Sequence, residues 1–76
     1  MLYIIEAEYQ HSYAEPMFYI GGDGDDLITN INRARLYYTE NSVEQRVAEY
    51  RKMYPNHLVR YRHVNIVIDE TIEEEY

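Results

Sequence analysis

The chain has 76 residues, no cysteine and a formal net charge of −7. Its length is enough for one domain with one core and excludes several domains, and the lack of cysteine excludes disulfides and thiolate zinc sites. The longest apolar run is too short for a membrane helix and the first residues lack the basic region of a signal peptide, so we expect a cytoplasmic protein without membrane contact.

The first twenty residues predict two strands joined as an antiparallel hairpin. Residues 1–9 are rich in β-branched and aromatic side chains and alternate at their charged end, which is typical of a strand. Residues 10–15 precede Pro16 and are predicted to form a loop, because proline disfavours helix just before it. Residues 17–20 form a short apolar run, predicted as the second strand, which ends in the acidic, glycine-rich turn 21–26.

Residues 27–38 fit two patterns. Ile28, Ile31 and Ala34 would suit the spacing of a helix, whereas residues 36–38, Leu-Tyr-Tyr, suit a strand. We predict an irregular turn at residues 30–33 followed by a short third strand.

A helix after residue 40 is the clearest element of the sequence. Asn41 and Glu44 form a pair resembling a capping box, and Pro55 ends the helix. Its apolar residues recur at helical spacing and form one stripe, with most charged residues off it. The stripe consists of Val43, Val47, Tyr50 and Tyr54.

Residues 58–69 predict the last strand, antiparallel to the first. The favoured register places Glu8 beside Arg60 and Glu6 beside Arg62, so that opposite charges meet. The predicted fold is therefore α+β: a small, mostly antiparallel sheet of three to four strands with one amphipathic helix on one face, in β-β-β-α-β order. Residues 1–69 form the domain and residues 70–76 an acidic C-terminal tail.

A single helix of about three turns can cover one face of such a sheet, although both faces carry apolar residues. We expect the other face to be buried against a second copy, giving a homodimer, or against a partner. The candidate self-association residues are Leu2, Ile4, Val64, Ile66 and Ile68.

The charges are unevenly distributed along the chain. Residues 1–32 contain six acidic and no basic residues, residues 33–62 seven basic and three acidic, and the last fourteen residues five acidic. Because the sum repels phosphate, direct nucleic-acid binding is disfavoured, and a protein partner with a basic surface is favoured.

The acidic turn and tail have two interpretations. Both could be solvated, or their carboxylates could mimic spaced phosphates in a basic groove of a nucleic-acid enzyme. The ten tyrosines likewise suit either the core or a recognition surface, where tyrosine provides large contact area and a hydroxyl. The candidate partner-binding residues are Asp23, Asp25, Asp26, Glu73, Glu74, Glu75, Tyr13, Tyr37 and Tyr38.

Two motifs point weakly to chemistry. Residues 21–29 match one copy of a calcium-binding nonapeptide whose repeats share each ion between successive turns, and the sequence has no second copy. His11, Ser12 and Glu15 are hydrolase residue types, but they are neighbours in one loop without a nucleophile elbow. We therefore expect no metal, no cofactor and no enzymatic activity.

The order of elements resembles that of many short proteins encoded by bacteriophages. The resemblance rests on residues 18–20, residues 34–37, a helix start led by Thr39, Tyr54-Pro55 and a final strand, and covers roughly residues 17–68. Some proteins of that kind are anti-CRISPR or anti-restriction inhibitors, which are small, acidic and without enzymatic activity. The resemblance implies an inhibitor of host defence, and it transfers no functional residue.

Overall fold

The computed structural model describes residues 2–12, 14–22 and 24–65, which form one antiparallel sheet with a helix packed against it. The strands lie in the order β3-β2-β1-β4. This confirms the predicted α+β fold and its β-β-β-α-β order. The elements are β1 (Leu2–Tyr9), β2 (Phe18–Gly21), β3 (Asp26–Ile28), a 3₁₀ turn (Ile31–Arg33), α1 (Glu40–Met53) and β4 (His57–Val64).

The third strand lies earlier in the chain than predicted. It is β3, which pairs with β2 directly after the acidic turn, and not residues 36–38. Gly22 and Asp25 have φ angles of 72° and 55°. These left-handed conformations let the chain reverse within a few residues, so a hairpin closes at once.

Residues 33–37 fill a gap between β1 and β2. The two strands pair through Glu6 and Ala7 and diverge beyond them. In the gap, Ala34 forms a bridge with Gly21, and Tyr37 exchanges two backbone hydrogen bonds with Tyr3, of 2.8 and 2.9 Å. The residues predicted as a third strand therefore join the sheet through isolated bridges.

Strand β4 pairs antiparallel with β1, as predicted, but in a different register. Glu6 lies opposite Arg60 and Ile4 opposite Arg62, a shift of two residues from the predicted pairs. A shift of two keeps every side chain on its predicted face. It also places Glu6 within reach of Arg60 and Arg62 together, so the charges still meet.

The N-cap of the helix lies two residues before the predicted cap. Thr39 is extended, and its Oγ1 accepts a hydrogen bond from the Ser42 N–H at 3.1 Å, which makes it the N-cap. Asn41 is already inside the helix, so the predicted cap was wrong. The helix ends at Met53, just before Pro55, as predicted.

The core lies between α1 and one face of the sheet. Alternate residues of β1 point toward the helix, and three of the four residues in the predicted apolar stripe are buried there. Among the described residues, no helix is both long and apolar enough to span a bilayer. The core consists of Tyr3, Ile5, Ala7, Ile20, Tyr37, Val43, Val47, Tyr50 and Val59.

Candidate functional site

The acidic turn is anchored to the rest of the chain through one of its acids. Asp25 forms an ion pair with the Arg35 Nε, and this hydrogen bond raises the pKa of Arg35 above its ordinary value. Asp26 is exposed at the start of β3. Asp23 lies outside the described residues. Of the two described acids, Asp26 thus faces solvent, whereas Asp25 is paired within its own chain.

The candidate tyrosines are placed very differently. Tyr38 is 69% exposed. Tyr37 is 6% exposed and belongs to the core, because its backbone pairs with Tyr3, so the prediction that it offers a contact surface was wrong. Burial, together with the neighbouring Tyr50 hydroxyl, raises the pKa of Tyr37 to about 12. Tyr13 lies outside the described residues.

The ion pair of Asp25 links the acidic turn to the segment that leads to Tyr38. Arg35 is three residues before Tyr38, which limits the backbone distance between them to about 11 Å. We call the group of Asp25, Asp26, Arg35 and Tyr38 the turn surface. It contains the exposed carboxylate of Asp26 and the exposed ring of Tyr38. The acids Glu73, Glu74 and Glu75 lie outside the described residues.

The sheet face opposite the helix, the open face, carries an ion network at its centre. Glu6 is 7% exposed and is held between two cations, with distances of 3.3 Å to the Arg60 Nε and 2.9 Å to the Arg62 Nε. Arg60 also reaches Glu8 at 3.3 Å. The carboxylate of Glu6 is therefore neutralised and fixed despite its burial.

Apolar residues lie around this network. Ile4 is 2% exposed, so one predicted self-association residue is already covered by its own chain, whereas Leu2 and Val64 are half-buried. Leu58 and Ile31 are 45% and 42% exposed. Ile66 and Ile68 lie outside the described residues. Self-association stays a prediction.

The outer edge of β4 was not singled out from the sequence. The backbone N–H and C=O of Tyr3 bond to Tyr37, on the side of β1 away from β4. Because these groups point to alternate sides along a strand, those of the even-numbered residues of β1 point toward β4 and bond to even-numbered residues there. The N–H and C=O groups of His57, Val59, Tyr61 and His63 consequently point outward. Two outward groups have partners: the Arg51 Nε donates to the Val59 carbonyl at 3.0 Å, and the His57 N–H donates to Tyr54.

The helix also supports β4 through a tyrosine. The Tyr61 hydroxyl donates to Glu40 at 2.8 Å and lies 3.0 Å from a Glu44 oxygen. These two carboxylates raise the pKa of Tyr61 well above its ordinary value. No sequence pattern would have identified this contact, since it joins residues about twenty positions apart through the packing of α1 on β4.

The hydrolase residue types in the first loop are engaged in local structure. His11 Nε2 lies 3.2 Å from the Asn56 side-chain oxygen, and the Ser12 hydroxyl accepts from the Ala14 N–H. Within the part of the chain that the structure describes, no group of three or more histidine and acidic residues is arranged to hold a metal ion.

Comparison of the chain with protein families, with curated proteins and with solved structures found no match. The resemblance to phage proteins therefore stays a prediction.

Proposed function

We propose that the protein is a non-enzymatic inhibitor of the phage type, which docks on a basic surface of a nucleic-acid-processing or host-defence protein. The supporting observation is where the excess charge lies. Residues 2–12, 14–22 and 24–65 contain all seven basic residues and eight of the fourteen acidic ones. The other six acids are Asp23 and five of the last eight residues.

The cations of the body are largely occupied. Arg35, Arg46, Arg60 and Arg62 form ion pairs with acids of the same chain, at 2.9 to 3.3 Å where Arg46, Arg60 and Arg62 are concerned. In this proposal the excess acids interact with another molecule. A basic partner surface is the complementary choice, and tyrosine at the rim adds contact area.

The turn surface is the described part of this proposed interface. Asp26 supplies an exposed carboxylate and Tyr38 an exposed ring, whereas Asp25 holds the turn through Arg35. In this proposal Asp23 and the acids Glu73, Glu74 and Glu75 extend the same negative charge toward the partner.

A salt series on captured partners tests the proposal. The tagged full-length protein is incubated with bacterial lysate, and bound proteins are quantified at about 0.05 M to 0.5 M salt, because charges are screened over about 10 Å at 0.1 M. We expect binding to fall with salt and to fall again when Asp23, Asp26, Glu73, Glu74 and Glu75 are replaced by their amides. The control neutralises Glu15 and Glu49, two exposed acids elsewhere, and the two variants are compared by the loss of binding per charge removed. Binding that is indifferent to salt and to the fivefold neutralisation would reject the proposal.

A second candidate is a homo-oligomeric assembly module that uses its open face. The observation that favours it is the exposure of Leu58, with Leu2 and Val64 half-buried on the same face. Light scattering across a concentration series should then show a dimer that Leu58→Glu dissociates. Met53→Glu, at an exposed position of α1, is the control. A monomer at every concentration removes this candidate.

A further inference from the structure

We propose that the outer edge of β4 binds an extended, acidic segment of a partner protein as an additional strand, with its carboxylates beside Arg60 and Arg62. This surface differs in place and in chemistry from the turn surface, so the two proposals are independent.

The backbone of β4 provides the hydrogen-bonding groups. Its outward N–H and C=O groups at Tyr61 and His63 have no hydrogen-bond partner among the described residues. Strand addition to a sheet edge uses such a pair of residues two positions apart. An incoming antiparallel strand would thus form backbone hydrogen bonds with Tyr61 and His63. One residue of that strand would lie opposite Arg62, which is between Tyr61 and His63 in the sequence.

The helix limits where that strand can bind. Arg51 donates a hydrogen bond to the Val59 carbonyl, and the His57 N–H donates one to the Tyr54 carbonyl. The first half of the edge therefore already has hydrogen-bond partners within the chain. The second half, from Arg60 to Val64, is the available part. A short segment of about five residues is sufficient to pair with it.

The side chains of the open face select for acidic residues. Arg62 uses its Nε for Glu6 and is 50% exposed, which leaves its terminal N–H groups for a carboxylate on the added strand. Arg60, which already pairs with Glu6 and Glu8, is 40% exposed beside it and contributes less than Arg62. On the helix face the acids Glu40 and Glu44 hold Tyr61 and would repel further acid. The fitting segment therefore has acids at alternate positions, with neutral residues between them.

The same arginines disfavour a second copy of this chain as the added strand. A two-fold pairing centred on Arg62 sets Arg62 against Arg62 of the other copy, and a pairing centred on Tyr61 sets Arg60 against Arg62. Like charges directly opposite destabilise paired strands, and charged residues commonly protect sheet edges in this way. A pairing centred on His63 sets Arg62 against Val64 and avoids this repulsion, and the proline variant described below tests it. An acidic strand meets no such repulsion.

The test uses the full-length protein and a capped peptide, acetyl-Thr-Thr-Glu-Val-Glu-Thr-Thr-amide. We expect saturable binding by calorimetry, slowed hydrogen exchange of the Tyr61 and His63 amides, and loss of binding when lysine replaces both glutamates in the peptide. Arg62→Gln should weaken binding about tenfold, the loss expected for one charge-assisted hydrogen bond.

Proline separates edge pairing from simple charge attraction. His63→Pro removes an outward N–H, which a sheet edge tolerates, and should abolish binding while circular dichroism shows a folded protein. His63→Ala keeps that N–H and should bind as the wild type does. Equal binding by the proline variant, tight binding of the lysine peptide, or a dimer that His63→Pro dissociates would each overturn the proposal. If His63→Pro unfolds, the proposal is tested by the other two measurements: unchanged binding by Arg62→Gln and unchanged exchange of the Tyr61 and His63 amides would overturn it.

Discussion

The backbone of Gly21 lies directly against that of Ala34, where residues 33–37 enter the gap between β1 and β2. A Cβ on Gly21 would lie 2.3 Å from the Arg33 carbonyl oxygen and 2.7 Å from the Ala34 Cα. Both are backbone atoms, and hydrogen bonds on either side of Gly21 hold them in place. We therefore expect Gly21→Ala to lower the free energy of unfolding by about 1–3 kcal/mol or more, the range for overpacking.

The control for this substitution is Gly24→Ala in the same turn. A Cβ there would lie 3.3 Å from a side-chain oxygen of Asp26, which is exposed and can rotate away. Its effect should stay within about 0.5 kcal/mol, as for ordinary surface changes. Urea unfolding followed by circular dichroism measures both variants, and equal stabilities for the two would show that Gly21 is not confined by Ala34.

The ion network on the open face predicts an asymmetry between two glutamates. Glu6 is buried between two arginines, whereas the Glu8 side chain is 48% exposed. Glu6→Gln removes the charge that both Arg60 and Arg62 rely on and should cost about 1–3 kcal/mol. Glu8→Gln should cost less than about 1 kcal/mol, because exposed pairs contribute little. Chemical denaturation of both variants at neutral pH gives the comparison, and a larger loss for Glu8→Gln would contradict it.

The same network shows what the sequence could and could not predict. Alternation of side chains identified the face on which Glu6, Arg60 and Arg62 meet, because that depends on a period of two. It did not identify the register, since Glu6 has an arginine partner in either of the two registers. In the observed register Glu6 lies between Arg60 and Arg62 and pairs with both.

Residues 33–37 illustrate a different limit. Leu36, Tyr37 and Tyr38 have strand-forming side chains, and local propensity predicted a strand there. The gap that they occupy exists because β2 pairs with β3 and diverges from β1, which is a long-range relationship. The placement of Tyr37 in the core follows from that gap, and so does the failure of the surface prediction for it. Tyr38, one residue further, is exposed.

The start of the helix gives a prediction that distinguishes the sequence pattern from the structure. Thr39 accepts from the Ser42 N–H, whereas Asn41 is an exposed residue within the first turn. Thr39→Ala should therefore cost about 1 kcal/mol of stability, the usual loss for an N-cap, and Asn41→Ala should be within about 0.5 kcal/mol of wild type. Thermal unfolding measures the stability of both variants. A larger loss for Asn41→Ala than for Thr39→Ala would show that Asn41 is the cap.

The buried hydroxyl of Tyr37 predicts a loss of stability at alkaline pH. Its pKa is raised to about 12 by burial, compared with 10 for an ordinary tyrosine, so the folded protein holds the proton more tightly than the unfolded chain. The corresponding stability is fully present below pH 10 and is lost as the pH rises toward 12. Two pKa units correspond to at most about 3 kcal/mol.

Phenylalanine at this position separates Tyr37 from the other tyrosines. We expect Tyr37→Phe to stay within about 1 kcal/mol of wild type at pH 7, because the buried hydroxyl lies near that of Tyr50 without reaching normal hydrogen-bond geometry. Its stability should fall less between pH 9.5 and 11.5, and the residual fall reflects Tyr50 and Tyr61, whose pKa values are also raised. Tyr38→Phe, at a 69% exposed position, should follow the wild-type profile. Urea unfolding across this pH range measures all three proteins, and identical profiles for wild type and Tyr37→Phe would show that the Tyr37 proton is not linked to folding.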